Sequence, residues 1–593
     1  MSASASPRGS RSVRTSIAAA LACVVTATIT SLPITMSLAQ AASSASDPVP
    51  AVRAAAPNAS GAATPAPMRL PDSVQRALQS AGIPLSAVGL VVQQIGTNTP
   101  LLSHNATAAM NPASVMKLVT TYTALSTLGP AWRWHTDLLA TAPVVSGVLE
   151  GDLYIRGSGD PKLVIERVRD WLQTLRTVGV EQIRGDLVFD RSLFEAVEID
   201  PARFDQEPTR PYNVGPDPLL MNFKAVRFQF LPEPGRALVP VRAEPMLAQV
   251  DWSSSVSAAA GPCGDWRADI HAEVQSSGAG AKVRFSGRMP SACGEHSWYL
   301  GLLSHPEYDY GLIRSLWTEL GGTLTGSWRD SPTPADARVL ASAESAPLAE
   351  IVRDINKFSN NVMARQVFLA LSAPLVGNPL VGSSMAGGTV SVSGALGDAG
   401  LATSEPPPEP GSVLPGFAGR AASTQRSVQV VRTFLRTRDL DLTELVLENG
   451  SGLSRIERIS PQSLARLLIN AWDSSVMPEF VTSLPIAGVD GTLAGRSGLR
   501  GLAGDAHIKT GSLSDVRAIA GYVQDTSGRR FVLAMLVNHV NAGTAIAAQD
   551  ALIRWVHDRA GLVQAGLGAP ASTTPHGSSA IHQSTAPAAR GRH

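Results

Sequence analysis

The sequence predicts an α/β fold, an antiparallel sheet with helices packed on it, built from the two ends of the chain around a long inserted region. Strand-like runs stand at both ends: Val88 to Ile95 early, then Ala506 to Gly511, Arg517 to Gln524 and Phe531 to Val537 late. Helical spacing accompanies them, through Val115, Leu118, Tyr122, Leu125 and Leu128 near the start and from Thr544 to Asp558 near the end. Between about Val145 and Arg338 the text is short strand-like runs with turns, among them Gly151 to Arg156, Arg184 to Phe189, Val226 to Leu231 and Lys282 to Arg288. That is a β-rich insertion, which costs little where its ends lie close together.

In chain order, Arg8, Arg11 and Arg14 precede an apolar stretch from Ile17 to about Thr30 and the small-x-small sequence Ala39-Gln40-Ala41. This reads as a secretory signal peptide over 1–41, cleaved near Ala41, with an apolar part too short for a bilayer span. Residues 42–68 and 564–593 lack the apolar periodicity of a core and read as a linker and a tail. Val88 to Ile95 ends in the turn Gly96-Thr97-Asn98, with a second strand near Leu101. Asn111-Pro112 supplies an N-cap and an N1 proline for a helix that ends at Gly129. Residues 374–424, with Pro406-Pro407-Pro408 and many glycines, read as a surface insertion.

The 593 residues are 44% hydrophobic and 16% charged, enough for more than one core, and the net charge of +1 points away from a nucleic-acid partner. Once the leader is removed, Cys263 and Cys293 are the remaining cysteines. In an exported chain two cysteines favour one disulfide, contributing ~3 to 4 kcal/mol, with two buried thiols as the alternative. They cannot fill a zinc shell without paired histidines, so no metal and no cofactor is expected.

Three short motifs carry the chemistry: Ser114-Val115-Met116-Lys117, Ser359-Asn360-Asn361 and Lys509-Thr510-Gly511. A serine hydroxyl needs a base within reach, and on a helix i and i+3 share a face, so Lys117 can reach Ser114. In a first turn the helix dipole favours the developing alkoxide. Lys117 must lose its proton to act as base, and burial beside the cation of Lys509 would lower its pKa. Ser359 follows the amphipathic run Leu348, Ile351, Val352, Ile355 and could relay a proton to a leaving amine, with Asn361 bonding a substrate amide. Thr510 and Lys509 suit a substrate carboxylate, Gly511 lets a substrate strand approach, and the backbone N–H groups of Ser114 and Ser512 would form an oxyanion hole.

The three motifs in this order resemble the SxxK, SxN and KTG set of the penicillin-recognising serine enzymes. From about residue 70 to 560 the chain resembles their class C low-molecular-mass penicillin-binding proteins, of the penicillin-binding protein 4 type. The likeness includes Gly157-Ser158-Gly159-Asp160-Pro161, the run Gly450 to Arg455 and the run Leu484 to Leu493. The long interval from Ser114 to Ser359 is that family's most distinctive trait. The resemblance implies a transpeptidase/serine β-lactamase-like domain at 70–145 and 336–563, with two β-rich inserted domains, one at 146–225 and 300–335 and the other nested in it at 226–299. It also implies a D-alanyl-D-alanine carboxypeptidase and endopeptidase of peptidoglycan stem peptides, acylated by β-lactams, with Asp160 as a contact for the acceptor side chain. The chain departs from the pattern at Asn360 and Asn449, where aspartate is usual. An exported, periplasmic place is implied, compatible with peripheral membrane or cell-wall association. A serine β-lactamase and a catalytically weak cell-wall scaffold are the rival readings. The first needs a separate water-activating residue, which is not visible near the motifs.

Overall fold

The computed structural model describes residues 69–373, 420–502 and 504–559. The leader with its cleavage point near Ala41, the 42–68 linker, the 564–593 tail and residues 374–419 lie outside the described residues. Residues 420–424, expected to belong to the surface insertion, are instead part of the fold. Ala422 is buried and bridges Phe194, and Ser423 accepts from Arg426 N to cap the helix Thr424–Thr437.

Both ends of the chain form a five-stranded antiparallel sheet in the order Ala506–Leu513, Val516–Gln524, Arg530–Asn538, Val88–Gln94 and Leu102–His104. Side chains alternate across it, as a period of two requires. Val91, Ala518, Ala520, Ala534 and Leu536 face the core that holds the helices Lys117–Leu128, Leu348–Phe358 and Pro461–Trp472. Leu90, Val92, Ile508, Leu533 and Met535 face the opposite core, with Asp72–Ser80 and Ile546–His557. Apolar on both faces, the sheet is a buried platform, and its edge strand Ala506–Leu513 carries Lys509-Thr510-Gly511.

The insertion leaves this unit through the strand His135–Ala140 and returns through Arg338–Glu344. The two pair with each other, Ala140 opposite Arg338 and His135 opposite Glu344. Its ends therefore lie side by side, and little loop-closure entropy is lost by placing so much chain there. The device is used twice. Val226–Phe230 opens an inner segment that His296–Leu300 closes, and these strands also pair, Val226 opposite Leu300. The inner segment is built of strands, with a single short 3-10 turn at Ser291–Cys293, and its Cys263 and Cys293 are joined in a disulfide.

The outer segment is not simply β-rich. Its five-stranded sheet packs against two helices, Ile165–Thr177 and His305–Glu319. Their signals were in the sequence: Val168, Trp171, Leu172 and Leu175 are buried at helical spacing, and Ser304 caps the second helix by accepting from Glu307 N. Among the described residues no helix is long and apolar enough to cross a membrane.

Candidate active site

The turn that carries Ser114 differs from the expected helix start. A 3-10 turn, Ala113–Met116, holds Ser114, and the α-helix begins only at Lys117. The Asn111 side chain accepts from Ala113 N at 2.9 Å rather than capping a helix, and Ala113 has a φ of 46°. The turn is tied to the sheet by Asn538, which accepts from Asn111 N at 2.8 Å and donates to Asn111 O at 2.9 Å. In a 3-10 turn residues i and i+3 eclipse, so the shift still sets Ser114 and Lys117 on one face.

Lys117 is fully buried, and its Nζ meets Ser114 Oγ at 2.9 Å, Asn361 Oδ1 at 2.6 Å and the carbonyl of Ser451 at 2.5 Å. Three acceptors satisfy an ammonium. After deprotonation the amine can still donate to Asn361 and Ser451 while accepting from the Ser114 hydroxyl. Burial, then the charge of Lys509, hold Lys117 well below the usual lysine range, and Glu457 pulls partly the other way.

The helix Leu348–Phe358 ends at Ser359, which sits in the left-handed region with φ 58°. Ser359 Oγ accepts from Lys509 Nζ at 3.0 Å. Asn360 then caps the next helix, Asn361–Ala370, accepting from Met363 N at 3.0 Å. Asparagine and aspartate cap about equally well, which accounts for the departure at this position. Lys509 is fully buried, donates also to Thr510 O at 2.8 Å, and is lowered to about 7 by burial.

Gly511 is required by the packing of the fold itself. A Cβ there would lie 2.5 Å from Pro112 O and 3.0 Å from Ser114 N, so glycine lets the edge strand lie against the turn that carries Ser114. This also brings the N–H of Ser114 beside the strand that carries Ser512. Thr510 donates to Thr492 Oγ1 at 2.8 Å. Thr492 is held by its own loop, where Asp490 accepts from Ile486 N at 2.7 Å and from Lys357 Nζ at 2.6 Å.

Asp160 is buried beside the motif Gly157-Ser158-Gly159, accepts from Lys162 N at 2.8 Å and lies 3.8 Å from Arg167. It is absent from the lining of the cavity of about 840 Å³ that holds Ser114, Ser359, Asn361 and Ser512.

Other residues of the site carried no readable role in the sequence. The Ser451 carbonyl is presented by a loop in which Asn449 Oδ1 accepts from Ser451 N at 2.9 Å and Asn449 Nδ2 donates to Leu453 O at 3.0 Å. An aspartate could not make the second bond, so the asparagine fits this loop. Glu457, fully buried, accepts from Glu448, Asn449 and Gly450 N–H groups at 3.1, 3.0 and 2.9 Å. Burial raises its pKa, against those three bonds and the charge of Lys117. The run Gly450 to Arg455 was the visible signal for this loop; Glu457 had none.

Residues 70–414 and 416–559 match the D-Ala-D-Ala carboxypeptidase 3 (S13) family. The chain is 22% identical over 462 residues to D-alanyl-D-alanine carboxypeptidase DacB of Haemophilus influenzae, covering 77% of this chain and 86% of that protein. It is 26% identical over 509 residues to the D-alanyl-D-alanine carboxypeptidase of an Actinomadura species, covering 82% and 83% of the two chains. The fold is that of the crystal structure of penicillin binding protein 4 from Haemophilus influenzae, with a TM-score of 0.62 at 20% identity over 82% of this chain and 99% of that one.

Proposed function

This chain belongs to the D-Ala-D-Ala carboxypeptidase 3 (S13) family and is a serine-type peptidase; on that premise we propose that Ser114 is its nucleophile, acting on the D-alanyl-D-alanine end of peptidoglycan stem peptides. The observation that carries this reading is the buried Lys117 amine, 2.9 Å from Ser114 Oγ and bonded to neutral acceptors. A base held this way can take the hydroxyl proton as the oxygen attacks the carbonyl of the penultimate D-alanine. The N–H groups of Ser114 and Ser512 receive the oxyanion. Ser359 passes a proton to the departing amine, which leaves as D-alanine, and water then cleaves the acyl-enzyme. Lys509 and Thr510 hold the terminal carboxylate, and Asn361 holds the amide of the stem.

Cleavage of D-alanyl cross-links between stems follows the same steps, with the amine of a second peptide as leaving group. A β-lactam acylates Ser114 because its strained amide and carboxylate mimic the natural pair. The substrate lies outside the cytoplasm, so the chain is exported, which suits the Cys263–Cys293 disulfide.

Mass spectrometry of the intact protein after penicillin exposure tests the assignment. A persistent adduct on the peptide containing Ser114 is expected, together with D-alanine release from pentapeptide stems. An adduct elsewhere sinks the assignment, and rapid multiple-turnover hydrolysis of penicillin favours a β-lactamase.

A further inference from the structure

The cleft has a second wall, contributed by the insertion. Arg210, Tyr212, Arg267 and Tyr299 line the same cavity as Ser114. Two of them are aromatic side chains left open to solvent, Tyr212 at 39% and Tyr299 at 48% exposure. Three guanidiniums line this cavity, and their partners differ. Arg455, from the catalytic side, lies over Phe204 and pairs with Asp515 at 3.1 Å. Arg210 pairs with Glu207 at 3.2 Å. Arg267 donates its backbone N–H to Asp265 Oδ1 at 3.1 Å, but its guanidinium makes no ion pair or hydrogen bond among the described residues and lies 3.9 Å over the Trp298 ring. Burial and the charge of Arg210 lower its hold on its proton, while Asp265 and Glu207 act in the opposite sense from beyond ion-pair distance. The one carboxylate lining the cavity, Asp205, is already occupied by Tyr212 Oη at 2.8 Å and Asn213 Nδ2 at 2.7 Å.

Arg267 is also held in place. Its neighbour Trp266 stacks on His296 with ring centroids 4.8 Å apart and packs against Phe230. The Cys263–Cys293 disulfide ties the start of the same loop to the strand region that carries His296 and Trp298. A guanidinium over an indole is held by the ring without using up its N–H donors, and its planar fork of donors can match a carboxylate in two parallel bonds.

We propose that Arg267, flanked by Arg210, Tyr212 and Tyr299, forms a carboxylate-binding subsite on the inserted region for the second peptide strand of a cross-linked substrate. The proposal rests on the peptidoglycan reading above and deepens it. The catalytic wall handles the scissile bond and the terminal carboxylate, while the inserted wall takes a free carboxylate farther along the bound peptide. The disulfide serves this wall by fixing the Arg267 loop.

The test uses two measurements. In Ser114→Ala protein, which leaves substrate intact, the affinity for a purified cross-linked stem-peptide dimer is measured with Arg267 present and with Arg267→Gln added. In protein retaining Ser114, the rate of acylation by penicillin is compared between wild type and Arg267→Gln. The dimer should bind about tenfold more weakly to the Gln variant. A dimer with its free carboxylates amidated should bind both proteins alike, and penicillin acylation should stay within about twofold. Arg267→Lys, which keeps the charge without the planar fork, should fall between. Equal affinity of the acidic dimer for both proteins, undetectable binding of it, or an equal loss with the amidated dimer overturns the subsite. Failure of penicillin to acylate wild type at Ser114 overturns instead the functional reading beneath it.

Discussion

Buried cations occur in both the catalytic unit and the insertion, and the two regions treat them in opposite ways. In the insertion, Arg191 is surrounded by carboxylates: Asp217, Asp309 at 2.6 Å and Asp330 at 3.1 Å. Burial works against its charge, but the three acids outweigh burial and hold its proton more tightly than usual. In the catalytic unit, Lys117 and Lys509 are fully buried and bond to hydroxyl and carbonyl oxygens, and burial drives both downward. The same desolvation is thus offset by carboxylates around Arg191, whose guanidinium stays charged in any case, and is left largely unopposed at Lys117 and Lys509, whose amines can then lose a proton. Arg191 joins segments of the insertion, while Lys117 holds its proton less tightly than an ordinary lysine.

The largest effect that this contrast predicts is at Lys117. Lys117→Ala should lower penicillin acylation by about 10²–10⁴-fold, the range of a lost general base, while the protein stays folded. Lys117→Arg should fail as well, since a guanidinium does not give up its proton at working pH. Mass spectrometry of the adduct after timed exposure reads both. Acylation at the wild-type rate in either variant would erase the distinction between the two kinds of buried cation.

Arg191→Met should show the reverse pattern. Removing the cation strands the buried Asp309 and leaves its more exposed neighbours unpaired, a loss of about 3–5 kcal/mol in denaturant unfolding. Folded protein should be acylated at the wild-type rate. Loss of acylation with unchanged stability would mean that Arg191 belongs to the chemistry.

A smaller effect concerns pH. Lys509 is lowered to about 7, so its positive charge is present below that pH and fades above it. The second-order rate constant for acylation by penicillin should therefore decline above pH 7, by at most about tenfold per pH unit. Lys509→Arg should move that decline to higher pH. The stability contribution has its own sign. Between about 7 and the ordinary lysine value of 10.5 the unfolded chain binds more protons than the folded one, so this group adds stability as pH rises through that window.

The smallest effect is expected at Glu457. Glu457→Gln keeps an oxygen for the three loop N–H groups but removes the charge that raises the proton affinity of Lys117. The acid limb of the acylation profile should move to lower pH with little change in the plateau rate. An unmoved limb would assign Glu457 to the loop alone.

Much of this was written in local patterns. The pair Ser114 and Lys117 was legible because three residues of helix-like turn suffice to place them on one face, whether the turn is α or 3-10. The terminal strands were legible because alternating burial repeats every two residues, the run carrying Lys509 among them, whereas its place at the sheet edge was set by strand pairing. The helices Ile165–Thr177 and His305–Glu319 were readable by spacing and cap but were submerged in a stretch dominated by strands.

What the sequence by itself determined is therefore the class of fold, the family's three motifs and the presence of a long insertion, all of which rest on short-range spacing. Tertiary structure alone decided which distant groups meet. The Ser451 carbonyl reaches Lys117, the charge of Glu457 acts on it through space, Asp160 is buried outside the cavity lining, and Arg267 arrives at that cavity from the nested strands. The physical reason is that desolvation and Coulomb interaction depend on distance in space, and no local pattern in the chain encodes the distance between residues brought together only by packing.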